Sequence, residues 1–139
     1  MGFGRRFGID YGAARIGIAV CDSDGLVATP VTTLQNDKDF FENFRRLQSE
    51  YSAVGIYLGR PKQLSGQVGT IQGEIDEFAD KLVKEFNLPI SWVDERLTSS
   101  GASQALRERG LDSKSSKGLV DQLAAVSILE LGIALEKNA

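Results

Sequence analysis

The run Arg5-Arg6-Phe7-Gly8-Ile9-Asp10-Tyr11-Gly12-Ala13-Ala14-Arg15-Ile16-Gly17-Ile18-Ala19-Val20-Cys21-Asp22 reads as two short strands and the link between them. Residues 5–11 form the first strand, which stops at Gly12. Residues 15–22 form the second, with Ile16, Ile18 and Val20 alternating with smaller residues, the period of a strand that turns one face to a core. A link as short as residues 12–14 implies an antiparallel hairpin. Ser23-Asp24-Gly25 makes a further turn, so residues 26–33 should add a third antiparallel strand. Pro30 has no backbone N–H to donate to a ladder, which places that strand at a sheet edge.

Beyond this meander the period changes. Phe40, Phe41, Phe44 and Leu47 recur at helical spacing between Asp37 and Tyr51. Residues 53–58 are continuously apolar, as in a buried parallel strand. A loop rich in Gly, Pro, Lys, Gln and Ser runs to Gly69, and Ile71, Ile75, Phe78, Ala79, Leu82 and Phe86 mark a second helix. Residues 90–95 give a fifth strand, a helix is expected over 99–109, and an apolar helix runs from near Lys117 to near Glu136. The order βββαβαβαα predicts one α/β domain over residues 1–139, a five-stranded mixed sheet of order 3-2-1-4-5 with helices on both faces.

Composition narrows the chemistry. The 139 residues suit a single core, with 42% hydrophobic and 25% charged residues. The one cysteine, Cys21, excludes an internal disulfide and reads as a core thiol. There is no histidine, which excludes Ser-His and Cys-His catalysis and argues against zinc. No uninterrupted apolar run reaches the ~18 residues of a membrane span, the amino terminus has no secretory apolar core, and Arg6 stands where a myristoylation signal needs Ser or Thr. A cytosolic protein that does not engage membrane is the expectation. The net charge of −3 gives no global attraction to nucleic acid, so any such partner needs a local basic face.

Three carboxylates stand out against this background. Asp10 lies in an apolar strand, where a carboxylate is unfavourable unless paired or bound to a cation; its other reading is a turn residue before glycine. Asp94-Glu95 closes the fifth strand, at the carboxyl end where open α/β sheets gather functional groups, and alternation sends the two to opposite faces. A solvated pair near Arg96 would look the same. Asp121 leads the series Ala124, Ala125, Ile128, Leu129, which puts it on the buried face of the last helix; its other reading is an N-cap, although Ser116 offers an earlier one. If Asp10, Glu95 and Asp121 converge, their repulsion calls for a counter-charge, and hard oxygen ligands select Mg²⁺ or Mn²⁺. Such ions support phosphodiester hydrolysis without histidine.

Arg15, Arg60, Lys62, Arg96, Lys114 and Lys117 fall in segments expected to border this cleft and are candidate phosphate contacts, although each singly reads as a solvated surface charge. Gly59, Gly66 and Gly69 would let backbone approach phosphate, although a plain flexible loop would look the same. Trp92 and the Phe40, Phe41, Phe44 set read as packing residues.

The segments Gly8-Ile9-Asp10-Tyr11-Gly12, Arg15-Ile16-Gly17-Ile18-Ala19, Leu58-Gly59-Arg60-Pro61 with Gly66, Asp94-Glu95-Arg96-Leu97-Thr98, and Lys117-Gly118 with Asp121, Ala124 and Ala125 occur in an order that resembles the YqgF/RuvX family. That resemblance implies a ribonuclease H-like fold and a Mg²⁺- or Mn²⁺-dependent endonuclease, with Asp10, Glu95 and Asp121 matching the family's catalytic acids. It implies structured RNA, at the 5′ end of pre-16S ribosomal RNA, or a four-way DNA junction as substrate. Symmetric junction cleavage would require a homodimer. Gln63-Leu64 departs from the family's Asn-Met, and Gly101 stands where a glutamate often appears. Two readings of other classes remain: a non-catalytic nucleic-acid-binding scaffold, and an ATP-binding module. The glycine-flanked Asp10 segment resembles the phosphate loop of two-lobed sugar kinases and actins, but 139 residues leave room for only one lobe.

Overall fold

In the first strand, β1 (Arg6–Tyr11), side chains alternate across the sheet: Phe7 and Ile9 are fully buried on one face, while Gly8 and Asp10 lie on the other. β2 (Arg15–Cys21) returns antiparallel, pairing Ile9 with Ile18 and Asp10 with Gly17. β3 (Ala28–Gln35) follows on the outer side of β2. The chain then forms α1 (Phe40–Tyr51), β4 (Gly55–Arg60), α2 (Thr70–Phe86), β5 (Ile90–Asp94) and α3 (Lys114–Lys137). This computed structural model describes residues 2–60, 70–94 and 114–139. The expected helix over 99–109, Glu95, Arg96, Lys62, Gly66 and Gly69 lie outside the described residues.

The sheet order is β3-β2-β1-β4-β5, with β4 and β5 parallel to β1. This is the mixed topology expected from three meandering strands followed by crossovers. Pro30 does lie on the edge strand, beside a register shift between Ile18 and Ala19. The third strand runs two residues later than the sequence suggests, starting at Ala28, because the carboxylate of Asp22 holds the turn open. Asp22 accepts hydrogen bonds from the backbone N–H groups of Asp24, Leu26 and Val27. Those bonds lower its pKa, the one from Val27 most.

Each sheet face carries its own core. On one, Phe7, Ile9, Ile16, Ile18, Ile56 and Leu58 meet α1 and α2 through Phe40, Phe44, Phe78 and Leu82. The aromatic set there is packing, as expected: Phe40 stacks on Phe44 at 5.6 Å, and both contact Phe7 or Phe78 rings at about 5 Å spacing. On the other face, Ala19, Cys21, Tyr57 and Val93 meet Ala125, Ile128, Leu129 and Ile133 of α3. By composition and length, Gly118–Lys137 could cross a bilayer. Here its apolar stripe is spent on the sheet.

Glycines set the depth at which α3 packs. A Cβ on Gly8 would stand 2.5 Å from the carbonyl oxygen of Ala125, and one on Gly17 would stand 2.2 Å from that of Asp121. Neither strand could carry a side chain there with the helix in place. Further along, Gly132 lets the helix ride over the ring of Tyr57. Ala125 is fully buried, but Ala124 is only partly so, and the room comes chiefly from the sheet.

Cys21 is buried at the far end of β2, accepting the backbone N–H of Arg6 at 3.2 Å. Burial pushes its thiol pKa up, which suits a core residue and not a nucleophile.

Candidate carboxylate site

The site is built where β1, β2 and the first half of α3 meet. Gly8 and Asp10 are two residues apart in one strand, so they share a face, and Gly8 faces α3. Asp10 therefore stands on the α3 side of the sheet. Its cross-strand partner is Gly17, and Gly17 lies directly beneath Asp121. Two of the three candidate carboxylates are thus brought to one face by a single register. An antiparallel pair puts Asp10 opposite a residue with no side chain, and that absence admits the helix turn carrying Asp121.

Asp121 is not an N-cap. The helix begins at Lys114, two turns earlier. Its side chain is 17% exposed and accepts a hydrogen bond from Nε of Arg15 at 2.7 Å, an ion pair across 106 positions of sequence. Arg15, the first residue of β2, is 37% exposed and shares the face of Gly17. Two more contacts fix this part of α3 to the edge strand. The hydroxyl of Thr33 donates to the carbonyl oxygen of Gly118 at 2.7 Å, and Gln122 Nε2 donates to that hydroxyl at 3.1 Å.

The remaining candidates divide. Asp94 pairs in register with Arg60 and, by alternation from the buried Val93, occupies the face away from α3. Arg60 was expected in a loop. It is the last residue of β4, and its guanidinium lies 4.3 Å above the ring of Trp92. It stands at the carboxyl edge of the sheet but on the α1–α2 side. Trp92 is a partly buried packing residue that also supports Arg60. Lys114 was expected ahead of the last helix and Lys117 near its start, and both lie in the first turn of α3. Helical backbone begins earlier than the apolar series because the first turn has few residues to bury.

Among the described residues, no three Asp, Glu, Cys or His side chains form a cluster able to hold a metal ion. The donor set of the described pair nevertheless fits a hard cation. Asp10 and Asp121 offer only oxygen, they share one face, and a cation, the Arg15 guanidinium, already stands against one of them.

Comparison with known proteins bears on this arrangement. The family model described as "RuvX: Holliday junction resolvase" matches residues 4–134. The chain belongs to the RuvX family. A relative from Streptomyces coelicolor, named "Putative pre-16S rRNA nuclease", is 39% identical over 137 residues, covering 96% of this chain and 82% of its own. One of the same name from Mycobacteroides abscessus is 41% identical over 133 residues, covering 93% and 80%. Among solved structures, the RuvC protein of T. thermophilus in complex with a Holliday junction substrate matches with a TM-score of 0.61. It is 12% identical, over 96% of this chain and 95% of its own, so the likeness is one of fold. The RuvX match takes in all five strands, α1, α2 and α3 as far as residue 134, and the ribonuclease H-like architecture expected from the motifs is the one observed.

The sequence singles out Asp10, Asp121 and Arg15 as candidates, with Arg15 read only as a substrate contact. Its pairing with Asp121 was missed, since no local signal links residues so far apart. The role of Gly17 was missed as well. The signal was there in principle: a glycine interrupting a β-branched strand marks a close backbone approach.

Proposed function

We propose that this chain is a divalent-metal-dependent endonuclease acting at the 5′ end of pre-16S ribosomal RNA, with Asp10, Glu95 and Asp121 as its carboxylate centre. The observation that carries the reading is the placement of Asp10 and Asp121 on one face of the sheet, around the side-chain gap at Gly17, in a RuvX-family chain. The named relatives supply the substrate class. Glu95 follows Asp94, which lies on the opposite face, and enters as the third acid by the family resemblance.

Mg²⁺ or Mn²⁺, when bound, would supply activation of water and charge stabilisation at the leaving oxygen. Asp10 and Asp121 would hold it, and the rigid seating of α3 would keep their oxygens preorganised. Arg15, Arg60, Lys62, Arg96, Lys114 and Lys117 would neutralise backbone phosphates around the site. A net negative chain needs such a local footprint to hold nucleic acid.

The family description favours a second substrate, a four-way DNA junction, cut by a homodimer. Labelled precursor ribosomal RNA and a labelled junction, offered side by side with Mg²⁺ or Mn²⁺, separate the two. Cleavage near the mature 5′ end of the RNA, abolished by Asp10→Asn, is the expected result. Paired symmetric cuts in the junction alone would transfer the assignment to DNA. Cleavage of neither substrate would favour a binding module.

A further inference from the structure

We propose that Arg15 is a built-in counter-ion of the carboxylate centre: it competes with the divalent cation for Asp121 and, once displaced, is free to pair with a phosphate of the substrate. The inference rests on the reading of Asp10 and Asp121 as cation ligands.

The geometry gives the two partners unequal freedom. Asp121 is carried by a helix that cannot shift, because its own carbonyl oxygen lies over Gly17 and its neighbours are tied to Thr33. Arg15 is at the start of a strand, directly after the residue 12–14 link, and is more than twice as exposed as its partner. In an exchange, the carboxylate stays and the guanidinium moves outward. The charges favour this. Two carboxylates on one face repel, and the Arg15 guanidinium, 2.7 Å from an Asp121 oxygen, relieves part of that repulsion. A divalent ion relieves more of it, and it repels the guanidinium. The displaced side chain then lies at the rim of a site that has gained positive charge, where a phosphate oxygen is its natural partner. Metal and nucleic acid would thereby bind with positive coupling, each favouring the state in which the Arg15–Asp121 pair is broken.

The test is Mn²⁺ binding to the full chain by calorimetry, without nucleic acid, in the wild type and in Arg15→Gln, Arg15→Lys, Asp10→Asn, Asp121→Asn and the Arg15→Gln/Asp121→Asn pair. Competition predicts that Arg15→Gln binds Mn²⁺ about two- to fivefold tighter, the equivalent of losing one partly exposed ion pair. Arg15→Lys keeps the charge and should return affinity towards the wild-type value. The gain should shrink in the Asp121→Asn background, where the pair is already broken. Nucleic-acid affinity at fixed Mn²⁺ should move the other way, falling in Arg15→Gln. A purely structural role for Arg15 would lower thermal stability without tightening Mn²⁺ binding. Unchanged or weaker Mn²⁺ binding in Arg15→Gln, with wild-type binding still dependent on Asp10 and Asp121, would overturn the counter-ion role and leave the metal site standing. Wild-type binding that neither Asp10→Asn nor Asp121→Asn alters would overturn both.

Discussion

Adding one methyl group at Gly17 should damage this protein more than its size suggests, and the same change at Gly73 should help it. At Gly17 the new Cβ would lie 2.2 Å from the carbonyl oxygen of Asp121 and 2.5 Å from its carbon. Ordinary contact begins near 3.4 Å, so about 1.2 Å must be found. The opposing atoms are helix backbone, which cannot rotate aside. The helix itself must lift, against Ala125, Leu129 and the Thr33 contacts. Overpacking of a rigid site costs about 1–3 kcal/mol, offset by about 0.4–1 kcal/mol because alanine restricts the unfolded chain. We expect Gly17→Ala to lose about 1–2 kcal/mol net. Gly73 is an exposed residue inside α2 with nothing within 4 Å of its added Cβ. There, Gly73→Ala should gain about 0.5–1 kcal/mol from helix propensity alone. Equilibrium urea unfolding of both variants measures the two signs in one experiment. Lifting α3 also moves Asp121 from the position set by Arg15, and displacements of about 1 Å can cost 10²-fold in catalysis. If Gly17→Ala proved as stable as the wild type, α3 could not be seated as described, and the convergence of Asp10 with Asp121 would lose its physical basis.

Asp121→Asn should fold, because Asn retains the shape and Arg15 can turn to water; its unfolding without metal should change by about 1 kcal/mol, the scale of a partly exposed ion pair, while single-turnover cleavage should fall about 10²-fold or more. Near-normal cleavage would remove Asp121 from the catalytic set. Tyr57 should set an alkaline limit. Burial, and then the hydrogen bond its hydroxyl donates to Glu136 Oε1, push its pKa well above 10.0, so its stabilising contribution is complete below that pH and declines as pH rises above it. Tyrosinate absorbance and urea midpoints should show this decline weakened in Tyr57→Phe. Cys21, buried and with a raised pKa, should react with a thiol reagent only as fast as the fold opens, so that labelling in urea is far faster than in buffer. Replacing Arg60, Lys62, Lys114 and Lys117 together by alanine should flatten the salt dependence of nucleic-acid binding by about one unit of slope per lost phosphate contact, and an unchanged slope would take them out of the footprint.

The sequence by itself determined the sheet. Alternation in residues 15–22, the tight link at 12–14 and the apolar run at 53–58 are local signals, and β1, β2, β4 and β5 appear in the predicted order because hairpins and crossovers leave few topologies open. It also singled out Asp10 and Asp121, since a carboxylate in an apolar strand or on an apolar helix face is costly enough to stand out. Element ends were less legible: Arg60 and Lys114 fall inside a strand and a helix because hydrogen bonding continues past the last residue that needs burial. What only the tertiary structure decided is how the two acids come to share one face of the sheet. The hairpin register sets Gly17 opposite Asp10, whereas Asp121 over Gly17 and Arg15 against Asp121 join positions about a hundred residues apart, and such contacts follow from helix depth, which no local pattern encodes.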